Sequence, residues 1–119
     1  MKKTVVIGGN SNPQRYSYLA TVKLKNYGHH AIPVGLKEGE IDGIKILTGK
    51  PEIKDVDTVT MYVGAANQSV YYDYILGLNP KRIIFNPGTE NPEFQKQAEA
   101  NGIEVVEACT LVMLSVGNY

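Results

Sequence analysis

A single cysteine, Cys109, stands among the 119 residues, so no internal disulfide can form, and a reducing, cytoplasmic location is the expectation. Neither sign of charge prevails: twelve Lys and Arg are matched by twelve Asp and Glu. The chain therefore lacks the global field that gathers nucleic acid or an anionic membrane surface. No apolar run approaches the roughly 18 residues that a membrane span requires. Lys2 and Lys3 ahead of Val5-Val6-Ile7 imitate the start of a signal peptide, but the apolar stretch is too short and gives way to polar loop after Gly8. With no repeat, low-complexity tract or linker, the expectation is one soluble domain over residues 1–119.

Assembled catalytic chemistry is missing as well. No His/Cys spacing matches a zinc site, so no metal is expected. His29 and His30 are adjacent, hence on opposite faces of a strand, and they open that strand rather than close it. Cys109 lacks an evident activating base and reads as a small hydrophobe. Glu104 and Glu107 flank a strand with no partner carboxylate, and Tyr62, Tyr71, Tyr72 and Tyr74 read as packing residues. No catalytic residue is expected.

What the chain does have is alternation. Strand-like runs recur at residues 4–7, 30–34, 58–63, 82–85 and 104–106, several of them nearly continuous in apolar or β-branched residues, as in strands covered on both faces. Between them lie helical patterns. Tyr16, Leu19, Ala20, Leu24 and Tyr27 recur at helical spacing before Gly28. A second helix is expected over residues 67–78, with Val70, Tyr71, Tyr74, Ile75 and Leu78 as its stripe, stopped by Asn79-Pro80. A third begins at Asn91-Pro92 and ends at Asn101-Gly102. Residues 37–57 carry Gly39, Gly43, Gly49 and Pro51 and no helical stripe, with room for a short strand at 44–47. The apolar tail Leu111-Val112-Met113-Leu114 fits either a core or a dimer contact. This alternation predicts an α/β fold: a Rossmann-like three-layer domain with a mostly parallel five-stranded sheet.

Ligands of open parallel sheets bind beyond the carboxyl ends of the strands. The first such loop, from Gly8 to Arg15, offers backbone donors from Gly9 and its neighbours, side-chain donors from Asn10, Ser11 and Asn12, and the Arg15 guanidinium. Paired glycines feeding a helix, with an arginine nearby, suit a phosphate. The dinucleotide fingerprint is absent, since Asn10 and Pro13 stand where glycines are required. No carboxylate ends the second strand for a ribose 2′-hydroxyl; Lys37 stands there, and a cation suits a ribose phosphate. Gly64-Ala65-Ala66 and Asn86-Pro87-Gly88-Thr89 keep two further strand ends open.

In order along the chain, Val-Ile-Gly-Gly-Asn-Ser-Asn-Pro-Gln-Arg-Tyr-Ser-Tyr, Ile-Pro-Val-Gly-Leu-Lys, the Gly-x-Lys at Gly43–Lys45, Asp57 to Val63, Phe-Asn-Pro-Gly-Thr-Glu-Asn and Val-Val-Glu-Ala-Cys-Thr resemble the small stand-alone CoA-binding proteins. These are related to the CoA-binding domain of the succinyl-CoA synthetase α subunit. The resemblance implies coenzyme A, or an acyl-CoA, lying across the strand ends. Gly8, Gly9, Asn10, Ser11, Asn12 and Arg15 would hold the pyrophosphate. Val34, Gly35 and Lys37 would lie by the adenosine and its 3′-phosphate, Val63 and Gly64 by the adenine or ribose, and Asn86 and Pro87 on the pantetheine side. The chain departs from the pattern at its first loop, where Gly-Ala-Ser-Pro is usual, and at Gly35, where asparagine is common. The synthetase's phosphohistidine and second domain have no counterpart. The expected role is a non-catalytic carrier or sensor of CoA with an unknown protein partner. The alternatives are an NADP- or NAD-binding module and an interaction domain with a vestigial pocket.

Overall fold

The computed structural model describes all 119 residues. Its main sheet has five strands, β1 (Lys3–Ile7), β2 (His30–Val34), β5 (Thr58–Met61), β6 (Arg82–Phe85) and β7 (Glu104–Glu107). They lie in the order β2-β1-β5-β6-β7 and every pairing is parallel. Between β2 and β5 the chain makes a separate antiparallel hairpin of β3 (Gly39–Ile41) and β4 (Ile44–Ile46). Its two-residue turn, Asp42-Gly43, has φ of 49° and 83°, the doubly left-handed geometry that suits hairpins. Only the second of these strands was expected; the Asp-Gly pair between two isoleucines was the overlooked signal for the first.

Four helices cover the sheet: α1 (Tyr16–Asn26), α2 (Tyr72–Leu78), α3 (Pro92–Ala100) and α4 (Thr110–Val116). Successive strand residues face opposite sides. Val5, Ile7, Val59, Met61, Ile83 and Phe85 form one core with Ile75, Phe94 and Ala98 of α2 and α3. Val6 and Ala31 form a smaller one with Leu24 of α1 and Leu114 of α4. The apolar tail is therefore helical and closes the second face, with Met113 and Leu114 buried. Lys23 on α1 ties the two helices together by donating to the Leu111 carbonyl at 3.0 Å and to the Ser115 hydroxyl.

That second face is more polar than the apolar runs implied. Thr4, Thr58, Thr60 and Arg82 are all buried. The Thr60 and Thr110 hydroxyls meet at 2.8 Å, and Arg82 Nε donates to Thr58 Oγ1 at 2.8 Å. The Arg82 guanidinium lies 4.5 Å from the centre of the Tyr119 ring. The buried threonine hydroxyls are tolerated because each finds a partner.

Two helices differ from expectation. On α1 the inward side is Ser17, Ala20, Thr21 and Leu24, while Tyr16, Leu19 and Tyr27 are exposed. The Thr21 hydroxyl donates to the Ser17 carbonyl at 2.8 Å, which lets Thr21 face the core. The segment read as one helix over 67–78 is two 3₁₀ turns, Ala65–Asn67 and Ser69–Tyr71, before α2 begins at Tyr72. The reason is Gln68. Its fully buried amide donates to the carbonyls of Val63 and Thr89, each at 2.7 Å, and draws the chain inward there. Val70, assigned to the apolar stripe, is turned out and 64% exposed. At α3 the Asn91 side chain caps the helix, accepting from Phe94 N at 3.1 Å, with Pro92 in the first turn.

Candidate functional site

The strand order reverses between β1 and β5: β1 leads to β2 on one side, and the chain returns to β5 on the other. A crevice is expected at that switch point. A cleft of about 650 Å³ opens there, between the loop after β1 and the 3₁₀ segment after β5. A second arm of about 270 Å³ continues toward the loop after β6 and is bordered by Tyr16, Ser17, Pro87, Gly88 and Thr89. Gly8, Asn10, Arg15, Tyr62 and Gly64 border both arms, so the two meet over these residues.

The β1 loop is shaped by close backbone contact. Gly8 has φ of 98°, and a Cβ there would lie 3.1 Å from the Tyr62 carbonyl. The N–H groups of Gly8 and Gly9 both donate to the Val34 carbonyl at 2.9 Å. The expected Gly9 donor is thus engaged inside the fold. The donors that remain without a partner in the chain are those of Asn10, Ser11 and the first turn of α1, Tyr16 and Ser17. Asn10 Oδ1 accepts from Asn12 N at 2.8 Å, and Asn12 Oδ1 from Gln14 N at 3.0 Å, which sets the turn into the helix. Arg15 occupies the cap position of α1 in extended conformation, with no side-chain cap and no acidic residue in the first turn.

Arg15 and Lys37 border the cleft, and neither takes part in the chain's two ion pairs, Lys25–Asp42 and Lys81–Asp57. No Asp, Glu, His or Cys borders either arm. Two free cations in a cleft that no carboxylate borders attract an anion. The larger arm also has an apolar side, from Leu36, Val63, Ala66 and Val70. Tyr62 borders both arms, while its hydroxyl is buried without a partner. Burial pushes that phenol above its ordinary value of 10, so it stays protonated.

Of the residues expected at the site, Gly8, Gly9, Asn10, Ser11, Arg15, Lys37, Val63 and Gly64 border the larger arm and Pro87 the smaller. Asn12, Val34, Gly35 and Asn86 border neither. Val34 is buried in the core. Gly35 lies against the Gly9 backbone. Asn86 is buried under the site, where its amide donates to Thr60 Oγ1 at 2.7 Å and to the Met61 carbonyl at 2.8 Å and accepts from Thr110 N at 2.8 Å. It holds β5, β6 and α4 together at the strand ends. Leu36, Asn67, Ser69 and Val70 also border the larger arm; the last three fall in the stretch whose spacing predicts a helix over 67–78. Cys109 is half-buried, precedes α4 and borders neither arm. His29 lies at the other end of the sheet, accepting from Lys2 N at 3.0 Å. No three His, Cys, Asp or Glu side chains cluster as a metal centre would require.

The fold recurs in solved structures. A crystal structure described as an uncharacterized protein is 53% identical, with a TM-score of 0.98, and the match covers 100% of this chain and 98% of that one. A hypothetical protein from Pyrococcus horikoshii OT3 matches with a TM-score of 0.85 at 23% identity, over 97% of this chain and 82% of its own. A dinucleotide-forming acetyl-coenzyme A synthetase 1 from Ca. Korarchaeum cryptofilum, in complex with phosphate and ADP, matches with a TM-score of 0.66 at 18% identity. Here 89% of this chain corresponds to 25% of the synthetase, so the same fold forms one part of a larger protein. No protein of curated function matches significantly. The strand order and these neighbours define a Rossmann-like α/β domain. The sequence pattern of the CoA binding domain matches residues 2–115, and the chain belongs to that family.

Proposed function

We propose that this protein binds coenzyme A, or an acyl-CoA, in the two-armed cleft and acts as a carrier or sensor rather than a catalyst. The observation that carries the reading is the pair Arg15 and Lys37, both bordering the cleft, neither in an ion pair, with no carboxylate among the lining residues. Arg15, the free N–H groups of Asn10 and Ser11 and the uncapped start of α1 would hold the diphosphate. Lys37, on the loop after β2, would take the 3′-phosphate. The apolar side formed by Leu36, Val63, Ala66 and Val70 suits a flat base. The smaller arm, past Pro87, would take the pantetheine chain.

No Asp, Glu, His or Cys borders the cleft, which supports a binding role. Lys37 also supports a second reading, an NADP module, because its ammonium group would meet a 2′-phosphate equally well. Calorimetric titration of CoA, dephospho-CoA, NADP and NAD separates the two. Tightest binding of CoA, weakened in dephospho-CoA, supports the proposal; NADP binding without CoA binding selects the alternative, and NAD alone removes both.

A further inference from the structure

Resting on the CoA reading of the cleft, we infer that Gly64 is the gauge of its waist: the slender middle of the ligand crosses from one arm to the other in contact with the Gly64 Cα. Three nearby glycines are explained by the chain itself. Gly8 has a positive φ of 98°, a Cβ on Gly9 would lie 2.8 Å from Pro33 Cβ, and one on Gly35 would lie 2.2 Å from the Gly9 carbonyl oxygen. Gly64 has no such reason. Its φ of −62° and ψ of 153° are open to every L residue. A Cβ there would meet no protein atom within 4 Å. Glycine lets a ligand approach the backbone closely, so a glycine that neither backbone nor packing requires, placed in the lining of a cleft, suits such an approach.

The position identifies what approaches. Gly64 borders both arms, together with Asn10 and Arg15, the groups that carry the anion-accepting chemistry. A ligand broad at one end, charged and narrow in its middle and extended at the other would pass this point with its narrow part. In CoA that part is the diphosphate and the start of the pantetheine chain. Gly77 offers a control. Like Gly64 it is exposed, with open surroundings and no positive φ, but it lies on α2 and borders neither arm.

The test is calorimetric titration of CoA and of adenosine 3′,5′-bisphosphate into the unaltered protein, Gly64→Ala, Gly64→Val and Gly77→Ala, with melting temperatures measured in parallel. The bisphosphate occupies the nucleotide arm without crossing the waist. Expected are an unchanged fold, CoA binding weakened ~10-fold by the alanine and ~100-fold by the valine through overpacking against the ligand, bisphosphate binding retained in both, and Gly77→Ala unaltered in affinity. Gly64→Val binding CoA as tightly as the unaltered protein overturns the inference, and so does an equal loss of both ligands. If the valine variant melts early, the alanine variant decides, since its methyl meets no protein atom. Failure of the unaltered protein to bind CoA would instead remove the functional reading itself.

Discussion

Gly35 lies so close to Gly9 that a Cβ on the former would stand 2.2 Å from the carbonyl oxygen of the latter. The end of β2 and the loop after β1 are thereby locked against each other, a contact reinforced by the two N–H groups that converge on the Val34 carbonyl. The obstacle is backbone, which cannot rotate aside as a flexible side chain would. Gly35→Ala should therefore destabilise the protein by ~1–3 kcal/mol or more, read as a lowered urea midpoint. The same substitution should weaken CoA binding by displacing the loop that carries Asn10 and Ser11. Unchanged stability would show that the two loops are not in contact.

The two free cations should separate by ligand. Lys37→Ala is expected to weaken CoA roughly 10-fold while leaving dephospho-CoA nearly unaffected, because a hydrogen bond to a charged group is worth ~1.5–3 kcal/mol. Arg15→Ala should weaken both ligands alike. Neither residue forms an ion pair within the chain, so both variants should melt within about 0.5 kcal/mol of the unaltered protein. Equal losses of CoA and dephospho-CoA on removing Lys37 would place its contact elsewhere than a ribose phosphate.

Asn86, which the family resemblance puts on the pantetheine side, makes its side-chain hydrogen bonds within the fold. Asn86→Ala would leave the Met61 carbonyl and the Thr110 N–H without their partner in a buried setting. A loss of roughly 3 kcal/mol is expected, from a penalty of ~1–3 kcal/mol for each buried group left unpaired. Denaturant unfolding measures it. A variant as stable as the parent but unable to bind CoA would return Asn86 to the ligand.

His29 makes stability depend on pH. Its pKa is lowered from the ordinary 6.5 by partial burial first, then by the positive charges of the chain's N-terminus, Lys2 and Arg82, against a smaller opposing pull from Asp57. Its Nδ1 accepts the Lys2 N–H, which requires the neutral ring. The unfolded chain therefore binds a proton that the folded one refuses, so this contribution is complete above pH ~6.5 and declines as the pH falls toward the lowered native value. Urea midpoints between pH 7.5 and 5 should fall, and His29→Asn should flatten that part of the profile. A variant with the same slope as the parent would exclude the imidazole as its source.

Much of the architecture was legible in residue order because its causes are local. Asn91-Pro92 starts α3, as a capping amide followed by proline should. The apolar runs at the five main strands pair in parallel with helices on both faces. Gly8 and Arg15 fall beside the cleft. Where the structure departs from the local pattern, distant partners are the cause. Nothing near Gly9 in sequence tells that its N–H belongs to Val34, and nothing near Gln68 tells that Thr89, 21 residues away, will draw its amide inward and break the helix into 3₁₀ turns. The helical repeat of α1 was likewise correct in period and displaced in direction, because spacing fixes which residues share a side but not which side meets the sheet.

Residue order alone thus established the alternation of strand and helix, the turn chemistry and the family resemblance, all consequences of backbone preference and hydrophobic period over short stretches of chain. Folding decided which hydrogen-bonding groups are engaged inside and which remain for a ligand. That choice depends on residues far apart in the chain arriving within 3 Å of one another, as Gly9 and Val34 do, and no local pattern encodes such a meeting.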